Sequence, residues 1–176
     1  MKVVNFTIRL LLTVLLVAWA VLPYLDASAN ENILGEIHKL GIVPMVAIIG
    51  AFFIMVACYC RTLQTCLALI KPENRKAAPA SVWYMFALPF NFVEDFFIVI
   101  NLANSIETEK NRNSRLSGVS DFGMTSGIGW CIAQLLSFIP NVIGQIAGLA
   151  GMVLVVIHWR QIARINKQLT EKTLTF

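Results

Sequence analysis

The sequence predicts an all-helical integral membrane bundle with four transmembrane helices, forming one membrane domain over residues 1–176. Three observations carry this. Hydrophobic residues make up 57% of the chain and charged residues 14%, against about 25% charged in an average soluble domain. Mean hydropathy is +0.71, an apolar surplus larger than a core of this size buries. The charges are also segregated: residues 10–25, 40–60, 77–93, 96–106 and 122–157 carry none. The same composition excludes disorder, collagen and coiled coil.

The first span is expected at about 4–24. Lys2 and Arg9 give it a basic start, and Pro23 ends it. Ala27-Ser28-Ala29 has the small-x-small form of a signal-peptidase site, but the run is long enough for an uncut helix with Arg9 snorkelling to the interface. The uncut helix is the expectation. The second span is expected at 41–61, with a cytoplasmic extension to Ile70, where Pro72 and the restriction on the preceding residue stop it. The third is expected at 82–104, joined across Glu94 and Asp95.

The last uncharged run is too long for one straight crossing. Residues 122–157 would make roughly 54 Å of helix against a hydrocarbon core of about 30 Å. Pro140-Asn141 lies near the middle, and a proline there removes one helical hydrogen bond and clashes with the preceding turn. Two arrangements are open. One is a short, half-inserted helix at about 127–139 followed by a span at 141–160, and the other is a hairpin of two spans. Charge arbitrates. Arg61, Lys71, Arg75 and Lys76 face Glu73 alone, and Arg160, Arg164, Lys167 and Lys172 face Glu171 alone. Both flanks should be cytoplasmic, so an even number of crossings separates them. Asp26, Glu31 and Glu36 suit the outer side, and the loop at 107–121 is neutral. Four spans with both termini cytoplasmic follow.

Several blocks carry a resemblance. They are Thr62-Leu63-Gln64, Ile70-Lys71-Pro72-Glu73-Asn74-Arg75, Pro79-Ala80-Ser81-Val82-Trp83, Leu88-Pro89-Phe90-Asn91-Phe92 and Asn104-Ser105-Ile106-Glu107. Gly127-Ile128-Gly129, Ile139-Pro140, Ala147-Gly148-Leu149-Ala150 and His158-Trp159-Arg160-Gln161-Ile162-Ala163 continue the pattern. Over 62–115 and 127–168 the chain resembles an uncharacterised family of small bacterial multi-spanning membrane proteins. The resemblance implies a bacterial inner (cytoplasmic) membrane and a helical membrane fold, and brings no reaction, ligand or partner.

The candidate site is the acid pair. In a helix starting near Val82, Glu94 and Asp95 lie roughly 18 Å deep. A carboxylate facing lipid there costs roughly 2.5–3.5 kcal/mol on insertion scales, so the pair should face helices or water, or be protonated. Tyr84, Asn91, Glu94, Asp95, Ile98 and Ser105 share a face, and Pro89 should loosen the helix just before the acids. Gln134, Ser137, Asn141, Gln145 and Gly148 share a face of the last run. Gly144-x-x-x-Gly148 and Ala147-x-x-x-Gly151 let backbones approach, so the third and fourth spans are expected to pack along these faces. The pair is read either as an ion or proton site, or as a polar clasp between helices. It could also sit shallower, at the end of a tilted or re-entrant helix.

Other chemistry is thin. Cys58, Cys60, Cys66 and Cys131 lack tetrahedral zinc spacing and read as apolar packing. His38 and His158 fall on opposite sides of the expected bundle, His158 as an interfacial anchor. Gly123-x-x-x-Gly127 reads as a turn. No metal or cofactor is expected, and no basic run with interleaved aromatics suggests nucleic acid. The partners expected are the lipid bilayer and either further copies or other membrane subunits. The expected role is lateral association without a catalytic site, with a proton, cation or small-solute conduit through Glu94 and Asp95 as the alternative.

Overall fold

The computed structural model describes residues 2–21, 42–87, 90–139 and 141–171, and these are helical with no strand among them. Among the described residues there are five α-helices: α1 (Lys2–Val21), α2 (Ile42–Leu69), α3 (Asn91–Lys110), α4 (Met124–Leu136) and α5 (Val142–Thr170). Short 3-10 helices occupy Pro72–Asn74, Pro79–Phe86 and Ser114–Leu116. Among the described residues two helices, α2 and α5, are long and apolar enough to cross a membrane.

These two helices run parallel. Tyr59 meets His158, and the Asn166 side chain donates to the Thr62 carbonyl at 2.9 Å. Farther along, Leu63, Cys66, Leu67 and Ile70 share one core with Ile162, Ile165 and Leu169. The two basic flanks therefore come together at one end of the molecule. α2 stops at Leu69, just before Lys71-Pro72, where the pre-proline restriction places its end.

The expected helix over 82–104 is replaced by an out-and-back hairpin. Pro79–Phe86 runs antiparallel to α2. Trp83 bonds Gln64 at 2.9 Å, Met85 lies 3.5 Å from the Cys60 sulfur, and Phe86 stacks on Phe53 at 6.1 Å. The chain then reverses, and α3 returns to the basic end, where Ser105 and Glu109 meet Lys76 and Lys71. The direction changes between Ala87 and Phe90; Leu88 and Pro89, with the loosening expected at Pro89, lie outside the described residues.

The last uncharged run is a short helix and then a long one, as in the first of the two open arrangements, but the two fold back on each other as in the second. α4 folds back antiparallel on α5, with Ala133 against Gly151, Gly129 against Leu154 and Ser126 against Gln161. Pro140, at the turn, lies outside the described residues. Asn141 caps α5, its side chain accepting from the backbone of Ile143 and Gly144. Gly144 is needed by the turn: a Cβ there would stand 1.9 Å from the Ile139 carbonyl oxygen.

The small-residue face is used, but not as expected. Gly148 and Gly151 approach Ser137 and Ala133 of α4, so α4 separates α3 from α5. Nor is Gly127 part of a turn. It lies inside α4, where a Cβ would meet Val99 of α3 at 2.5 Å. Gly123 is the residue that turns the chain, with φ at 79° before the first turn of α4.

Candidate functional site

Because α3 begins at Asn91, Glu94 and Asp95 stand near its N-terminus instead of mid-helix. Acids are favoured there by the positive end of the helix dipole. The two acids then diverge. Glu94 is half-buried and bound by Arg9 of α1, whose Nη1 lies 2.6 and 2.8 Å from its two oxygens. The Arg9 guanidinium also sits 3.9 Å over the Phe97 ring. Arg9 is thus a partner for the acid, not a snorkelling anchor.

Asp95 is 3% exposed, and its Oδ1 has no hydrogen-bond partner among the described residues. It lies on the wall of a cavity of about 430 Å³ between α2, α3, α4 and α5. Asn91 and Gln134 line the same cavity, each with a side-chain oxygen lacking a partner. The rest of the wall is dominated by aromatic and aliphatic side chains, including Tyr59, Trp130 and Trp159. Tyr59 is the hub of that aromatic group, edge-on to Trp130 at 5.6 Å and to Trp159 at 5.9 Å. Its hydroxyl shares a 2.7 Å hydrogen bond with His158 Nδ1.

The six predicted polar positions therefore separate. Asn91, Asp95 and Gln134 share the cavity, Glu94 pairs with Arg9, Asn141 is a helix cap, and Gln145 is exposed. None of the carboxylate–amide bonds expected between the third and fourth spans forms among the described residues. His158 is fully buried, not an interfacial anchor, while His38 lies outside the described residues. Cys60, Cys66 and Cys131 are buried, Cys58 is exposed and all four are free thiols. Among the described residues no cluster of three or more His, Cys, Asp or Glu side chains could hold a metal.

One functional-looking acid has no signature in the sequence. Glu109, in the neutral loop region, is 1% exposed. Its carboxylate accepts from Asn74 at 2.7 Å, Asn113 at 3.1 Å and the Lys71 backbone at 3.2 Å. Burial pushes this carboxyl upward, but those hydrogen bonds and the Lys71 charge outweigh it and hold it below its ordinary 4.5. Asn74 is itself 1% exposed, so the pair pins the loop after α2 to the end of α3. The Lys71 to Arg75 block was visible as a motif, but nothing in it names a partner 35 residues away.

No protein family, curated relative or solved structure matches the chain.

Proposed function

We propose that the chain is a multi-pass protein of a bacterial inner membrane that acts by lateral association, as an accessory or scaffold subunit or as a homo-oligomer, without a catalytic site of its own. The observation that carries this reading is where the apolar surface lies. Only 6% of the most apolar stretch of α2 and 28% of that of α5 is buried. Ile42, Val46, Ile54, Ile146, Leu149 and Val153 are all more than half exposed. Contiguous apolar surface on this scale belongs against lipid or another subunit. The parallel course of α2 and α5 supports placing both basic flanks, and with them the C-terminus, on the cytoplasmic side.

On this reading α1, α2, α4 with its turn, and α5 each carry the chain across, which keeps the number of crossings even, and Pro79–Lys110 is a re-entrant hairpin opening to the cytoplasm. Non-helical backbone at such depth is tolerated where protein covers it.

Two measurements test the proposal. The chain should remain in the membrane after alkaline carbonate washing, and a C-terminal fluorescent-protein fusion should glow while an alkaline-phosphatase fusion stays inactive. Cross-linking in native membranes should then trap species above 19.6 kDa. A chain released by carbonate, or one trapped only as monomer, would sink it.

The second reading, a conduit for protons, cations or small solutes, is favoured by the cavity at Asp95. The Arg9 ion pair takes Glu94 out of that role and leaves Asp95 to carry it.

A further inference from the structure

The cavity at Asp95 has a composition that selects its occupant. A buried carboxylate without a partner is costly, and so are two unpaired amide oxygens beside it. All three unpaired atoms are acceptors, on Asn91, Asp95 and Gln134. What they lack is a positive partner. An inorganic cation is a poor fit. Calcium takes six to eight oxygen ligands at close range and magnesium a near-ideal octahedron, and the three unpaired oxygens on the wall of a 430 Å³ space do not supply such a set. A neutral apolar molecule would leave the acceptors unpaired, and an anion would face Asp95. An organic cation satisfies both parts of the wall: its positive charge faces the carboxylate and amide oxygens, and its apolar substituents face the aromatic side. The faces of Tyr59, Trp130 and Trp159 attract such a cation further through their ring quadrupoles. The volume lies in the range of small-molecule pockets.

We infer that the partly open cavity between α2, Pro79–Phe86, α3, α4 and α5 binds a lipophilic organic cation, with its charged centre facing Asp95 and its apolar groups against Tyr59, Trp130 and Trp159. The inference stands whether or not the chain associates laterally. The cation's source is either a free amphiphilic amine or the ammonium headgroup of a lipid.

The test uses the full chain in phosphatidylglycerol nanodiscs, with tetraphenylphosphonium as probe and tryptophan fluorescence as readout. Saturable quenching at one site per chain is expected, with none from the near-isosteric anion tetraphenylborate beyond empty discs. Asp95→Asn should weaken tetraphenylphosphonium binding about tenfold or more, as expected for removal of a desolvated charge partner, while Glu94→Gln changes it by less than about twofold. Phosphatidylethanolamine added to the discs should displace the probe if the headgroup is the natural occupant, and a free amine is the occupant if it does not. Absence of saturable binding, equal binding of the borate, or a monodisperse Asp95→Asn protein that binds normally overturns the inference. The borate comparison requires no variant, so a poorly folding mutant does not rescue the idea.

Discussion

The two ends of the α2–α5 pair are built from the same kinds of residue and treated in opposite ways. Toward the N-terminal ends, Val43, Ile54, Val142 and Met152 lie open, each more than half exposed. Toward the C-terminal ends, Leu63, Leu67, Ile162 and Ile165 are almost completely covered. The covered end also carries a network of polar contacts, beside buried side-chain oxygens of Asn74, Asn166 and Gln168 that have no partner among the described residues. Arg75 donates to the Ala68 and Ile70 carbonyls that α2 leaves unpaired, Arg115 donates to Leu169 at the end of α5, and Glu109 closes the loops between them. One end thus has the economy of a soluble domain, with packed aliphatics and capped helices. The other has no such economy and needs an apolar surround. Hydropathy alone does not distinguish these ends; the polar partners around them do.

The sharpest way to break the contrast is to place a charge on the open end. Val153 is 59% exposed, so in water Val153→Lys would be nearly neutral, within about 0.5 kcal/mol. In a spanning helix it should cost roughly 2.5–3.5 kcal/mol near the centre. Membrane-inserted protein should fall steeply relative to wild type, measured by carbonate-resistant yield. An unchanged yield would remove the membrane reading of α5.

At the covered end the expected losses are of folding rather than insertion. Glu109→Ala removes the acceptor of three hydrogen bonds and leaves Asn74 buried without it. A cost of about 2–3 kcal/mol is expected, since an abandoned buried donor pays its desolvation. Thermal unfolding in detergent should show it as a lowered Tm, with membrane insertion unaffected. Arg75→Ala is milder. It uncaps α2, where a cation near a helix C-terminus contributes about 0.3–1 kcal/mol, and a Tm shift clearly below that of Glu109→Ala would fit. Equal effects from both would mean that the Glu109 network is not a unit.

Much of this contrast was legible in residues and some of it was not. The end of α2 before Pro72, the short helix ahead of α5 and the shared side of the basic flanks follow from proline stereochemistry and charge segregation. The hairpin at Pro79–Lys110 was hidden because an apolar run broken by Leu88-Pro89 has the same hydropathy whether it passes through or turns back. Asp95 and Asn91 were found as anomalies in that run. Their cavity was not, since it depends on α4 coming between α3 and α5. The Arg9–Glu94 pair joins residues 85 apart, and each had a sufficient local explanation without the other. Glu109 was masked by neighbours that made its loop neutral, because net charge counts an acid the same whether it is solvated or enclosed.

The smallest expected effect is the pH dependence that separates the two ends. The Glu109 carboxyl is held below its ordinary 4.5 in the folded chain, so the unfolded chain binds its proton more readily. The stabilisation from this group is therefore present in full above the unfolded value and declines as pH falls from there through the lower folded value. Stability measured by chemical denaturation from pH 6 downward should decline through this window, with part of the slope removed in Glu109→Gln, which has no proton to take up. A variant such as Val153→Lys, altered only at the open end, should keep the wild-type acid slope in whatever fraction inserts. If Glu109→Gln leaves the slope unchanged, the acid sensitivity belongs to other carboxylates and the covered end is held by packing alone.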